Sequence, residues 1–174
     1  MGFAHALAAA LIGAGLGVQV FLSFLVAPAS FRLLERPVAV HLMEGLFPGY
    51  YATGLVVMGL ATLLILGLAL RERRAPLRWG ALAVLAVTLA GTVYAGHVLL
   101  PQARVARLRA QSAVAGDLSP LEFSRLHRRA VAVNIALFGT GLLALLLHAA
   151  SRPGATSVAA ASGLPLAARR PALR

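Results

Sequence analysis

Four apolar windows divide the sequence, at residues 6–27, 51–70, 79–100 and 130–149. Each window holds 20 to 22 residues and contains no Asp, Glu, Lys or Arg. As an α-helix, such a window measures about 30–33 Å, which matches the hydrocarbon thickness of a bilayer. The pattern predicts an all-α, integral membrane four-helix bundle, with residues 1–150 forming one transmembrane domain.

The segment after the first window predicts a short interfacial helix. Pro28 is expected to end the first helix, and a new helix opens at Pro37 and closes before Pro48. Its apolar and polar positions fall on opposite faces, with Val38, Leu42, Gly45 and Leu46 on one and His41 and Glu44 on the other. Such a helix is expected to lie along the membrane surface, with Tyr50 and Tyr51 following at the interface.

The last window continues a helix that begins in polar sequence. Ser119 is predicted as its N-cap, Pro120 as its first helical residue and Glu122 as the partner in a capping box. Before it, arginines 104, 107 and 109 indicate a surface-lying helix that ends at a break at residues 116–117. The basic tail, residues 151–174, is rich in small residues and prolines and is predicted to be disordered.

Composition supports the membrane interpretation. The 174 residues are 60% hydrophobic with mean hydropathy +0.85, and the formal net charge is +11. All charged residues lie outside the four windows, where basic groups contact lipid headgroups, so the charge does not indicate nucleic-acid binding. Cysteine is absent, which excludes disulfides and thiol chemistry. All sixteen Lys and Arg positions are Arg, which is typical of a GC-rich bacterial genome.

The first window is predicted to be a retained membrane span. The sequence before it carries no positive charge, and the window exceeds the usual apolar length of a signal peptide. Four spans then place connections 28–50 and 101–129 on one face of the membrane, and both termini with residues 71–78 on the other. Arginines near the spans favour the cytoplasmic side of a bacterial membrane for the two long connections.

The face with the long connections collects most residues that could carry chemistry. A stripe at helical spacing on the last helix holds Phe123, His127 and Asn134, and the third helix ends with Tyr94 and His97. Polar groups inside a membrane need partners, and this applies to Gln19 and Ser23 on the first helix. The candidate functional cluster is therefore Gln19, Ser23, Tyr51, Tyr94, His97, Phe123, His127 and Asn134.

The first helix also offers a packing surface, because Gly13 and Gly17 stand four residues apart. Small residues at this spacing allow another helix to approach closely. We expect a second copy of the chain or a membrane protein partner to pack there.

Several short motifs resemble a known family. These are FLSFLVAPASF (21–31), LFPGYY (46–51), the Tyr94–His97–Pro101 end of the third helix, and FSRLHRRAVAVN (123–134). Together they are similar to the transmembrane protein 205-like family (domain of unknown function 4149), over about residues 8–149. The resemblance implies a four-helix membrane bundle without an established activity. Its motif positions would be Pro28, Phe31, Phe47, Pro48, Tyr51, Pro101, Phe123, His127 and Asn134, while Ala130 stands where a small hydroxyl residue is expected.

No reaction follows from these residues, and three classes of function stay open. A structural or accessory membrane component is favoured, with the polar groups holding helices together. A transporter of small solutes or ions would use Gln19, His97, His127 and Asn134. A haem- or metal-binding redox protein, or an oxygenase-like enzyme, would use His97 and His127, but the sequence contains no HxxxH or Glu-xx-His pair, so no cofactor is assigned.

Overall fold

The chain forms a bundle of long helices in a computed structural model, which describes residues 2–72, 75–112 and 119–151. Within these ranges nearly every residue is helical, and no strand occurs. The four helices long and apolar enough to cross a membrane are α1 (Gly2–Leu33), α2 (Arg36–Arg71), α3 (Pro76–Gln111) and α4 (Ser119–Ala150). The predicted all-α, four-helix membrane architecture is confirmed.

The helices pack in chain order and close into a ring. α1 packs on α2, α2 on α3, α3 on α4, and α4 returns to α1. Neighbours are antiparallel, because Glu44 near the start of α2 meets Arg107 near the end of α3, and His5 near the start of α1 meets His148 near the end of α4. The bundle therefore has two ends, and the chain termini share one of them.

Small residues bring the helices together. Every helix has at least one fully buried alanine, for example Ala8, Ala61, Ala81 and Ala144. Larger apolar side chains such as Ile12, Ile65 and Leu85 fill the space beside them. The outer surface instead exposes large hydrophobic side chains, including Phe24, Val56 and Ile135. Small residues inside and large apolar residues outside are the distribution expected for helices surrounded by lipid.

The helices are longer than the apolar windows. They run for 32 to 36 residues, or about 48–54 Å, whereas a bilayer's hydrocarbon core measures about 30 Å. The extra turns of all four helices lie at the end with the long connections, which we call the projecting end (residues 28–50, 101–112 and 119–129). The opposite end, with residues 2–5, 68–72, 75–78 and 148–151, is called the terminal end.

Pro28, which was expected to end the first helix, lies inside a continuous helical run, and so does Pro101. Pro28 and Pro101 each follow a π-helical stretch, Phe21–Val26 and Ala95–Leu99, and helical structure continues to Leu33 and Gln111. A proline removes one backbone donor and crowds the carbonyl four residues before it, and a wider turn relieves both problems. At Pro28 the hydroxyl of Ser30 also donates to the carbonyl oxygen of Val26 at 2.7 Å.

The predicted interfacial helix between Pro37 and Pro48 is helical but is not a separate element. It is the first part of α2, and Pro48 lies inside that helix. The predicted surface-lying helix with Arg104 is likewise the continuation of α3. Both predictions were wrong about separation. Pro48 was taken as a helix boundary in the first case, and the end of the third apolar window was taken as one in the second.

The start of the last helix agrees with the prediction, since α4 begins at Ser119. Other predictions lie outside the described residues. These are the capping side chain of Ser119, the break at residues 116–117 and the disordered tail from residue 152 onward.

Candidate functional site

Asn134 is the centre of a hydrogen-bond network between helices. Its Nδ2 atom donates to the Tyr51 hydroxyl oxygen at 3.1 Å and to the Ala130 carbonyl oxygen at 3.0 Å. Its Oδ1 atom accepts a hydrogen bond from the Tyr50 hydroxyl at 3.3 Å. The carbonyl acceptor at Ala130 fixes the orientation of the amide, because only the nitrogen can donate to it. One asparagine on α4 therefore holds two tyrosines of α2.

Gln19 brings α1 into the same network. Its Nε2 atom donates to the main-chain oxygen of Asn134 at 2.6 Å, and its side chain is buried. We call Gln19, Tyr50, Tyr51 and Asn134 the Asn134 cluster. Three of these residues belong to the predicted site, whereas Tyr50 had been given only an interfacial position.

Aromatic packing fixes the two tyrosines. Their rings meet edge to face with centroids 4.8 Å apart, and Phe47 packs on both at 6.5 and 6.3 Å. On the other side, Gly96 of α3 approaches Tyr51 so closely that a Cβ atom there would lie 3.0 Å from the Tyr51 Cβ. Glycine at position 96 lets α3 contact this ring. The Asn134 cluster thus involves all four helices.

The two histidines of the predicted site are not part of the Asn134 cluster. His97 and His127 are both exposed, and no hydrogen bond or ring contact joins them in the part of the chain that the structure describes. The ring beside His127 is that of Phe123, at 6.0 Å. The guanidinium carbon of Arg129 instead lies over the Tyr94 ring, 5.4 Å from the ring centroid. The imidazole pair considered in the sequence is not formed.

The remaining predicted positions differ in environment. Ser23, expected to need a buried partner, is exposed on the surface of α1, where π-helical turns rotate it outward from the Gln19 face. Phe31, Pro48 and Pro101 are exposed as well, and Phe47 is half-buried against the tyrosines. Among the described residues there is no group of three or more His, Cys, Asp or Glu that could hold a metal ion.

The glycines predicted to pack α1 face open space within the chain. A Cβ atom added at Gly13 or Gly17 would have no neighbour within 4 Å. The glycine that α1 uses inside the bundle is Gly15, where an added Cβ would lie 2.6 Å from the Met58 methyl group. The Gly13/Gly17 face is therefore available on the outside of the bundle.

A second polar group lies at the terminal end, and the sequence did not indicate it. His5 and His148 are buried and stack with ring centroids 5.3 Å apart, and the Nε2 atom of His148 lies 3.1 Å from the His5 carbonyl oxygen. These contacts join α1 to α4. The sequence predicted only that both histidines lie on the same side of the membrane, and it gave no sign that their rings meet.

Arg78 completes the terminal end. It was predicted to lie in a basic turn at residues 71–78, and in the structure its side chain is only 1% exposed. It forms an ion pair with Glu72 at 2.7 Å and donates to the carbonyl oxygens of Leu68 and Ser151, both at 3.4 Å. Three helices meet at this guanidinium. The sequence did not show which of several neighbouring arginines points inward.

An ion pair joins α2 and α3 at the projecting end. Arg107 contacts the Glu44 carboxylate at 2.6 Å, and both side chains are about four-fifths buried, with 19% and 21% exposed. Arg104 also donates to the Glu44 carbonyl oxygen at 3.3 Å. The projecting end is therefore a packed continuation of the bundle.

The sequence matches the family described as domain of unknown function DUF4149 over residues 10–112, more than half of the chain. The chain belongs to the DUF4149 family. The matched region covers most of α1, all of α2 and α3, and therefore Gln19, Tyr51 and His97. Asn134 and His127 lie beyond it, on α4.

One relative is a protein of Aquifex aeolicus (strain VF5) described as an uncharacterized protein. It is 41% identical over 58 residues, which are 33% of this chain and 44% of the relative. The similarity thus spans less than half of that protein. No solved structure matches the chain.

Proposed function

We propose that this DUF4149 chain is a structural or accessory component of the membrane, of the transmembrane protein 205-like type. The proposal is based on the hydrogen bonds that the polar side chains inside the bundle form between helices. Gln19, Tyr50, Tyr51 and Asn134 form hydrogen bonds with one another's side chains or backbone, and these bonds join three helices. Polar groups used in this way stabilise helix association in lipid.

The proposed location is based on the four apolar helices and on the positions of the arginines. We place the protein in a bacterial cytoplasmic membrane, with the projecting end on the cytoplasmic side. Eight arginines lie in connections 28–50 and 101–129, all close to spans, whereas three of the eight on the other side belong to the distal tail, at residues 169, 170 and 174. Arginines close to a span determine orientation, and distant ones contribute little.

The outer face of α1 is the surface proposed for a partner. No atom of the described residues lies within 4 Å of a Cβ added at Gly13 or Gly17, so a second copy or another membrane protein can approach the α1 backbone there. We expect Gly13→Leu with Gly17→Leu to abolish oligomers or a co-purified partner, measured by cross-linking in nanodiscs. Gly139→Leu is the matched control, because it also faces open space but lies on α4. Unchanged assembly in the double variant would contradict the proposal.

A transporter of small solutes is the second candidate. The observation in its favour is a small cavity beside the Asn134 cluster, lined by Gln19, Thr88 and Thr92 among others. The two candidates differ in what Asn134→Ala does. For a structural network, the variant loses two hydrogen bonds between helices and about 1–3 kcal/mol of stability.

The measurement combines unfolding in detergent with solute flux in proteoliposomes. We expect no substrate-dependent flux above that of empty liposomes for the wild-type chain, together with a lower unfolding midpoint for Asn134→Ala. Gln111→Ala serves as the control, because it removes an exposed amide outside the network. Flux in the wild type that Asn134→Ala abolishes would support the transporter instead.

A further inference from the structure

The cavity beside the Asn134 cluster lies within the membrane-spanning part of the bundle. Residues of all four helices line it, among them Val18 of α1, Thr53 of α2, Thr92 of α3 and Leu137 of α4. Its volume is about 30 Å³. No charged side chain lines it. The cavity is therefore small and uncharged.

Two of its lining residues have unused hydrogen-bonding capacity. Gln19 is 8% exposed and uses its Nε2 atom, but no donor among the described residues reaches its Oε1 atom. Tyr51 is 6% exposed, and its hydroxyl accepts from Asn134 while its own proton has no acceptor among those same residues. A polar group inside a bundle that lacks a hydrogen-bond partner costs free energy, so native structures usually supply such a partner.

We propose that this cavity is a binding site for water, which bridges Gln19 and Tyr51. One water molecule needs about 10–15 Å³ of cavity volume, measured as the space open to the centre of a water-sized sphere, so the cavity holds one or two water molecules. Water donates to the Gln19 Oε1 atom and accepts from the Tyr51 hydroxyl, which matches the unused acceptor and donor. An ion does not fit, because the lining offers no charge to replace its hydration. This site is independent of the proposed accessory function.

Gly54 provides a way to fill the cavity without disturbing the network. It lines the cavity, and a Cβ atom added there would meet only the Thr92 Cγ2 atom, at an ordinary contact distance of 3.7 Å. Gly54→Ala therefore places a methyl group where the water is proposed. Gly59→Ala is the matched control, since Gly59 lies in the same helix, does not line the cavity and has no neighbour within 4 Å.

The test is water-edited solid-state NMR of the full chain in lipid, with the Gln19 side-chain amide and Tyr51 ring as reporters. We expect magnetisation transfer from water to both residues in the wild type and in Gly59→Ala, and its loss in Gly54→Ala. A high-resolution structure in nanodiscs is expected to show density within hydrogen-bonding distance of both groups. A dry cavity in the wild type, transfer that persists in Gly54→Ala, or density continuous with a lipid would overturn the proposal.

Discussion

At the scale of single residues, the polar side chains inside the bundle are stabilised by partners on other helices. The Asn134 side-chain amide forms hydrogen bonds to Tyr50, Tyr51 and the Ala130 carbonyl oxygen. Gln19 donates to the main-chain oxygen of Asn134. Arg78 is the most demanding case, because a buried guanidinium is tolerated only with a counter-charge and acceptors. Glu72 and two carbonyl oxygens supply them.

The role of Arg78 leads to a prediction about stability. Arg78→Met keeps an apolar stem of similar length but removes the donors that join the ends of α2, α3 and α4. We expect the free energy of unfolding to fall by about 1–3 kcal/mol, less than for a fully buried ion pair, because Glu72 is 38% exposed and can rehydrate.

Detergent-based unfolding of both arginine variants checks this prediction. Arg71→Met is the control, since Arg71 is exposed at the end of α2, and surface changes usually stay within about 0.5 kcal/mol. Equal effects of the two substitutions would mean that the buried guanidinium contributes nothing specific.

The residues of the site were only partly predictable from sequence. Helical spacing and polarity in an apolar window singled out Gln19 and Asn134, because such groups need partners in lipid. His97 and His127 were grouped with them from connectivity, which fixes the side of the membrane but not the direction of a side chain around a helix. The π-helical turn that contains His97 changes that direction, and no periodicity reveals such a turn.

At the scale of elements, the existence of the four helices followed from apolar length, but their ends did not. Prolines 28 and 48 were interpreted as helix boundaries, following the behaviour of proline in soluble helices. In the structure both lie within continuous helical runs, and so does Pro101. Wide π-helical turns precede Pro28 and Pro101 and accommodate the missing backbone donors, and the sequence gives no sign of such turns.

The continuity of the helices creates the projecting end. α2 and α3 extend together beyond the apolar windows, and the Glu44–Arg107 ion pair joins them there. Because both side chains are largely buried, this contact is more than a solvated surface pair. The arginines of the long connections are therefore carried on ordered helical turns and not on loose loops in the part of the chain that the structure describes.

At the scale of the whole molecule, the antiparallel ring gives the bundle two chemically different ends. The projecting end is basic and exposes His41 and His127, whereas the terminal end buries His5, His148 and Arg78. The up-and-down order was predictable, because consecutive membrane spans must run in alternating directions and helices that follow each other in the chain usually pack side by side. The buried contacts of the terminal end were not, since they depend on how the first and last helices meet.

The predicted topology has the chain crossing the membrane four times, with both long connections on one face. The sequence contains no cysteine, so single cysteines can be introduced as unique labels. His41→Cys and His127→Cys probe the projecting end, and Arg71→Cys probes the terminal end; all three positions are exposed. An impermeant maleimide is then applied to intact and to inverted membrane vesicles. We expect positions 41 and 127 to react from the same side and position 71 from the other. Labelling of positions 41 and 127 from opposite sides would contradict the account.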